Sequence, residues 1–127
     1  MRVLVVDDSP EIVKILACNM ELSGYSVDEA YDGMEAIEFL RKKKYDVVVT
    51  DAEMPRMSGI GVVKYLKARF PDVFVIGMSG SLNALKAFRD VGADICFAKP
   101  FNVGKVEQAI ENRFQPPLFA FNRAVSY

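Results

Sequence analysis

The stretch VLVVDDSP, Val3 to Pro10, is an apolar run that stops on two adjacent carboxylates, Asp7 and Asp8, followed at once by a serine and a proline. Consecutive Val and Leu residues with no polar alternation suit a strand buried on both faces. Ser9 is a favourable N-cap and Pro10 a favourable first helical residue, so a helix should begin directly after the acidic pair. Ile12, Val13, Leu16 and Met20 then recur at helical spacing, and Gly24 supplies a stop.

The same unit recurs along the chain. Further short β-branched runs lie at Ser26–Ala30, Asp46–Thr50, Val73–Met78 and Ile95–Ala98. Between them fall helical stripes: Ala36, Ile37 and Leu40; Ile60, Val63 and Leu66, closed near Pro71; Leu82, Leu85 and Phe88, closed at Gly92. Val103, Val106 and Ile110 mark a fifth helix. The run Arg41 to Lys44 fits the last turn of the second helix, where cations offset the helix dipole, and is read as a solvated end. The pattern predicts an α/β fold of (βα)5 type, a doubly wound sheet of five parallel strands covered on both faces. Right-handed crossovers bring every strand's carboxyl end to one edge, where sites form in open α/β sheets.

The composition narrows the chemistry. The chain has 127 residues, 51% of them apolar, enough for one core of ordinary size. No run is long enough to span a bilayer and no signal peptide is evident, so a cytoplasmic protein without membrane contact is expected. Sixteen basic residues against 17 acidic ones leave a formal charge of −1, which offers no footprint for direct nucleic-acid binding. Histidine is absent, which removes Ser-His-Asp and Cys-His nucleophile pairs, His-ligated zinc and any phosphohistidine carried by this chain. Cys18 and Cys96 lack metal or disulfide spacing and are expected as buried small hydrophobes.

What the expected edge collects is mostly oxygen chemistry. Asp7 and Asp8 end the first strand, Asp51 the third and Ser79 the fourth, with Lys99 just past the fifth. Three carboxylates close together repel, and a hard divalent cation relieves that repulsion; Mg²⁺, which takes one or two carboxylates plus waters and phosphate oxygens, matches Asp8 and Asp51. An aspartate beside such a cation is a competent nucleophile toward phosphorus. Asp51 is the choice, because the MPRMSG turn behind it leaves its carboxylate open. Ser79 is suited to hydrogen-bond a phosphoryl oxygen and Lys99 to neutralise another.

Four motifs, VVDDSPEI, VVVTDAEMPRMSG, IGMSG and FAKPF, stand in order at strand ends, and the chain over about residues 1–114 resembles the receiver domain of a bacterial two-component response regulator. That resemblance implies a flavodoxin-like, chemotaxis-regulator-like fold with strand order 2-1-3-4-5. Asp51 is then the phosphoacceptor, and Asp51 and Lys99 are the residues on which the chemistry turns. Asp8, Asp51 and the backbone carbonyl of Glu53 hold Mg²⁺, with Asp7 acting through water. Ser79 and Lys99 contact the phosphoryl group, and Lys99–Pro100 is a cis peptide. The implied donor is a histidine kinase or phosphotransfer protein. The response is a shift of the face made by helix 4, strand 5 and helix 5, which controls a downstream protein. The chain is no enzyme beyond its own phosphorylation and dephosphorylation.

Three features depart from the family pattern. The family carries an aromatic switch residue three positions before the lysine, where this chain has Cys96, while Phe97 should face the other side of the sheet. Glu53 is longer and more acidic than many relatives carry, and Ser58 replaces an aspartate before the glycine of the loop. The stretch from Gln115 to Tyr127, QPPLFAFNRAVSY, is richer in apolar residues than a disordered tail. Packing onto the domain, pairing with a partner such as a second copy, and the start of a linker all remain open for it. A homodimer through helix 4, strand 5 and helix 5 is a further possibility. Two other functions compete with the receiver. One is a pseudo-receiver that binds partners without switching. The other is a haloacid-dehalogenase-type phosphatase, which the early DD and later DAE order disfavours.

Overall fold

The computed structural model of the chain describes residues 1–114; the tail over 115–127, and every expectation attached to it, lies outside the described residues. Five strands alternate with five helices: β1 (Arg2–Val6), α1 (Pro10–Leu22), β2 (Ser26–Ala30), α2 (Gly33–Lys42), β3 (Val47–Asp51), α3 (Gly59–Arg69), β4 (Phe74–Ser79), α4 (Leu82–Asp90), β5 (Ile95–Ala98) and α5 (Val103–Phe114). All strand pairs are parallel and the order is β2-β1-β3-β4-β5, the expected flavodoxin-like topology. β1, β3 and β4 are the central strands, and their Val and Ile runs are buried on both faces.

The two faces form two cores. Leu4, Val6, Val48 and Val75 meet α2, α3 and α4 through Leu40, Val63, Leu66 and Phe88. Val3, Val5, Val49 and Ile76 meet α1 and α5 through Leu16, Met20, Val106 and Ile110. Each fully buried aliphatic side chain contributes roughly 1.5–3 kcal/mol of transfer free energy, so the sheet faces dominate the fold's stability.

The helix ends follow the local chemistry of the sequence. Ser9 caps α1 by accepting a hydrogen bond from the Ile12 N–H at 3.4 Å, with Pro10 in the first turn. Ser58 caps α3 by accepting from Gly61, so its replacement of an acidic residue keeps a capping oxygen. Gly24 and Gly92, both with positive φ, close α1 and α4.

Several local expectations shift. The fourth strand runs Phe74–Ser79 rather than Val73–Met78. The third strand begins at Val47 rather than Asp46, because Asp46 turns back on Arg2: its N–H donates to the Arg2 carbonyl at 2.9 Å and its carboxylate accepts the Arg2 N–H at 2.8 Å. Leu82, expected in the stripe of α4, is 83% exposed, and Phe88 is the single buried side chain of that helix. Cys18, expected inside, lies on the outer side of α1 and is exposed.

Asp32 joins two parts of the site edge. Its side chain caps α2 through the Glu35 N–H at 2.8 Å and also accepts both Nε and Nη2 of Arg56 at 2.9 and 2.7 Å. Arg56 belongs to the loop after β3 and has φ 67, a left-handed conformation that a non-glycine residue holds only where contacts fix it. Asp32→Ala should therefore lower stability by about 1–2 kcal/mol in denaturant unfolding, with most of the loss restored by Asp32→Asn, which keeps the cap.

Candidate functional site

The carboxyl ends of β1, β3, β4 and β5 deliver the expected residues to one place. Asp7 follows β1 and is fully buried, with Oδ1 accepting the Ser9 N–H at 2.9 Å. Asp8, next in the chain, is exposed. Asp51 ends β3 at 6% exposure, and Ser79 ends β4 at 2%. Ser79 Oγ accepts the Ser81 N–H at 3.0 Å, which holds the turn into α4. Carboxylate oxygens of Asp7, Asp8 and Asp51 all lie within 4.8 Å of one another, a grouping able to hold a metal ion.

Lys99 spans this cluster. Its Nζ lies 2.8 Å from Asp7 Oδ2 and 3.0 Å from Asp51 Oδ1, while its backbone N–H donates to the Ser79 carbonyl at 2.9 Å. The peptide from Lys99 to Pro100 is cis. Through one residue, β5 is tied to the ends of β1, β3 and β4.

Burial pushes the Asp51 carboxyl up; the hydrogen bond from Lys99 pulls it back, the Asp7 charge pushes it up again, and the net result lies above the usual carboxylate range. For Lys99, burial acts downward, but hydrogen bonds and charge from Asp7 and Asp51 outweigh it and the ammonium ends above its ordinary value. One lysine therefore stands among three acids, two of which it touches.

These donors fit a hard divalent cation. They are all oxygen, they converge, and exposed Asp8 keeps one side open to water, as Mg²⁺ requires. Glu53 is exposed in the loop that follows β3, two residues beyond Asp51.

Some parts of the site carried no distinct signal in the sequence. The Thr50 hydroxyl is buried and donates to the Asp51 carbonyl at 3.0 Å. Gly59 packs on that same carbonyl: a Cβ there would collide with the Asp51 carbonyl oxygen, while the Gly59 N–H donates to the Ala52 carbonyl at 2.8 Å. A turn at MPRMSG was legible, whereas this close approach is a property of the folded loop. Cys96 is half-buried on the face covered by α2, α3 and α4, and Phe97 packs on the opposite face, as alternation along β5 predicts.

The sign of the Asp51 shift gives a stability test. A carboxyl raised in the folded state holds its proton more tightly there than in the unfolded chain. Its contribution to stability is therefore fully present at acid pH and is lost as pH rises through the raised value. Asp51→Asn removes that loss, so on this effect alone the metal-free variant should gain stability relative to the parent as pH rises from acid to neutral, with the gap closing in acid. Denaturant unfolding across pH in the presence of a chelator measures it.

The geometry has close counterparts among known proteins. Residues 3–111 match the model of the response regulator receiver domain. The chain is 36% identical over 103 residues to response regulator MprA of Mycobacterium avium, covering 80% of this chain and 45% of that protein. Its identity to MprA of Mycobacterium leprae is 33%, over 100% of this chain and 58% of the relative. The chain thus spans about half the length of these curated relatives. Among solved structures, the chemotaxis response regulator CheY4 of Vibrio cholerae superposes with a TM-score of 0.81 at 28% identity, covering 87% of this chain and 96% of that one. The receiver domain of the Francisella response regulator 1452 gives a TM-score of 0.76 at 31% identity, covering 83% and 88%. With its motif order, its sheet topology and its site geometry in agreement, the chain belongs to the response regulator receiver domain family.

Proposed function

We propose that the domain is a phosphoacceptor signalling module in which Asp51 takes a phosphoryl group from the phosphohistidine of a sensor kinase or phosphotransfer protein. The observation that carries this reading is the convergence of Asp7, Asp8 and Asp51 around a lysine that touches two of them.

In the transfer, an Asp51 carboxylate oxygen forms a bond to phosphorus while the phosphorus–nitrogen bond of the donor imidazole breaks; the leaving imidazole is protonated from solvent. Asp8, Asp51 and the Glu53 carbonyl would hold Mg²⁺, with Asp7 reached through a bridging water. When bound, the ion supplies positive charge to the oxygens of the group in transfer. Lys99, already at the Asp51 carboxylate, supplies a second positive charge and moves from carboxylate to phosphoryl oxygen over a short path. Ser79, at the end of the neighbouring strand, offers a hydroxyl once its hydrogen bond to Ser81 is exchanged. The domain carries out only the gain and loss of its own phosphoryl group, and exposed Glu53 is placed to influence water access and so the lifetime of the acyl phosphate.

The output of such a module is a change of surface. The face of α4, β5 and α5 is the proposed one, acting on a protein partner or on a second copy of the chain. No helix among the described residues is long and apolar enough to cross a membrane. The exchange is proposed to take place in the cytoplasm, where the kinases of the receiver family present their phosphohistidine.

Intact mass after incubation with acetyl phosphate and Mg²⁺ tests the proposal. One phosphoryl adduct is expected, lost with chelator and in Asp51→Asn. Lys99→Ala should cut adduct formation by about 10²-fold or more, the scale of removing one charge-stabilising group. No adduct, combined with no binding of beryllium fluoride, would contradict the assignment.

A further inference from the structure

We infer that Phe88 of α4 is the aromatic residue that transmits the state of Asp51 to the α4 surface, in place of an aromatic on β5; this rests on the phosphoacceptor reading above. Thr50, Gly77 and Cys96 are register partners across β3, β4 and β5, so their side chains share a face. That face is the one covered by α4, and Gly77 leaves an empty place in the middle of the row. The Phe88 ring fills it. A Cβ built on Gly77 would lie 2.7 Å from both Cγ and Cδ2 of the ring, closer than unbonded carbon atoms approach.

The far end of the ring reaches the site loop. Its Cζ is 3.1 Å from where a Cβ of Gly59 would stand, and that same position is blocked by the Asp51 carbonyl oxygen. Thr50, at the other side of the row, donates its hydroxyl to this carbonyl. The ring therefore touches the strand that ends in Ser79 and the glycine that packs on Asp51.

Nothing else inside α4 competes for this role. Phe88 is fully buried and is the helix's one buried residue, whereas Leu82 at its start is exposed. Cys96 has no group with comparable reach: its Sγ lies 3.9 Å from the Leu85 carbonyl, a weak contact with the middle of α4. A helix seated through one rigid ring moves when the socket of that ring moves, because packed interiors shift between discrete arrangements and do not deform continuously. A change at the Asp51 carbonyl, or at the end of β4, alters two walls of the socket at once.

The test uses beryllium fluoride with Mg²⁺ as the phosphoryl mimic, fluorine NMR to report its binding, and amide spectra to report α4. In the parent, binding should shift amides across Leu82–Asp90. Phe88→Leu should still bind the mimic but lose about half or more of the α4 response, since coupling through such contacts is worth a factor of roughly 2 to 30 in population. Cys96→Ala should leave the response intact. Gly77→Ala supplies a ligand-free arm: its methyl must displace the ring, so the Gly59 and Ala52 amides should shift together with α4 in the absence of any phosphoryl mimic. An undiminished α4 response in Phe88→Leu, its loss in Cys96→Ala, or Gly77→Ala changes confined to β4 would overturn the inference while leaving the phosphoacceptor reading in place. A parent that binds the mimic with α4 unmoved would overturn it in the same way. Absence of any beryllium fluoride signal in the parent would overturn the inference, and together with absence of the phosphoryl adduct it would overturn the phosphoacceptor reading as well.

Discussion

One ammonium group organises the carboxyl edge of this sheet. Lys99 Nζ lies within hydrogen-bond distance of Asp7 and Asp51, at the ends of the neighbouring strands β1 and β3, and its own backbone is bonded to Ser79. Remove that charge and the edge holds two buried carboxylates with no compensating cation from the protein. Keep it and one lysine still faces three acids, because Asp8 adds a third carboxyl group within 4.8 Å of the other two. The cluster is stable enough to fold, yet an added cation or a transferred phosphoryl group changes its balance of charge.

The fold positions this cluster cheaply in conformational terms. Asp7, Asp51 and Ser79 stand at or next to the ends of strands whose preceding residues are locked in the core, so their backbone is fixed before the side chain is considered. Two loop devices finish the placement. Arg56 is held by Asp32, which fastens the loop after β3 to the start of α2, and Gly59 lets the start of α3 press against the Asp51 carbonyl.

Much of this was legible in the residues themselves. The Val and Ile runs, separated by helical stripes and closed by Gly24 and Gly92, led to five parallel strands, and the polar residues at strand ends led to the site. Strand boundaries differ by one residue at β3, where the Asp46 carboxylate accepts the Arg2 N–H, and at β4, which starts at Phe74. Helix faces are legible where two or more side chains are buried and are obscure in α4, where Leu82 has the hydrophobicity of a core residue but is 83% exposed. Cys18 failed for a related reason: a small apolar side chain gives no direction, and α1 is already filled by Val13, Leu16, Ala17 and Met20. The Phe88, Gly77 and Gly59 contact was out of reach, since it depends on three residues far apart in sequence meeting across a helix, a strand and a loop. Cys96 shows the converse. Its place on the α4 face followed from strand alternation alone, but what stands in for an aromatic there is visible only in the packing.

If the carboxylate cluster is a cation site, a Mg²⁺ titration followed by amide spectra, run on the parent, on Asp8→Asn and on a variant of the exposed Asp72, will show it. Saturable shifts at Asp7, Asp8 and Asp51, weakened at least about tenfold by Asp8→Asn and unchanged by the Asp72 variant, are predicted. Equal affinity in all three proteins, or shifts centred away from the carboxyl edge of the sheet, would contradict it.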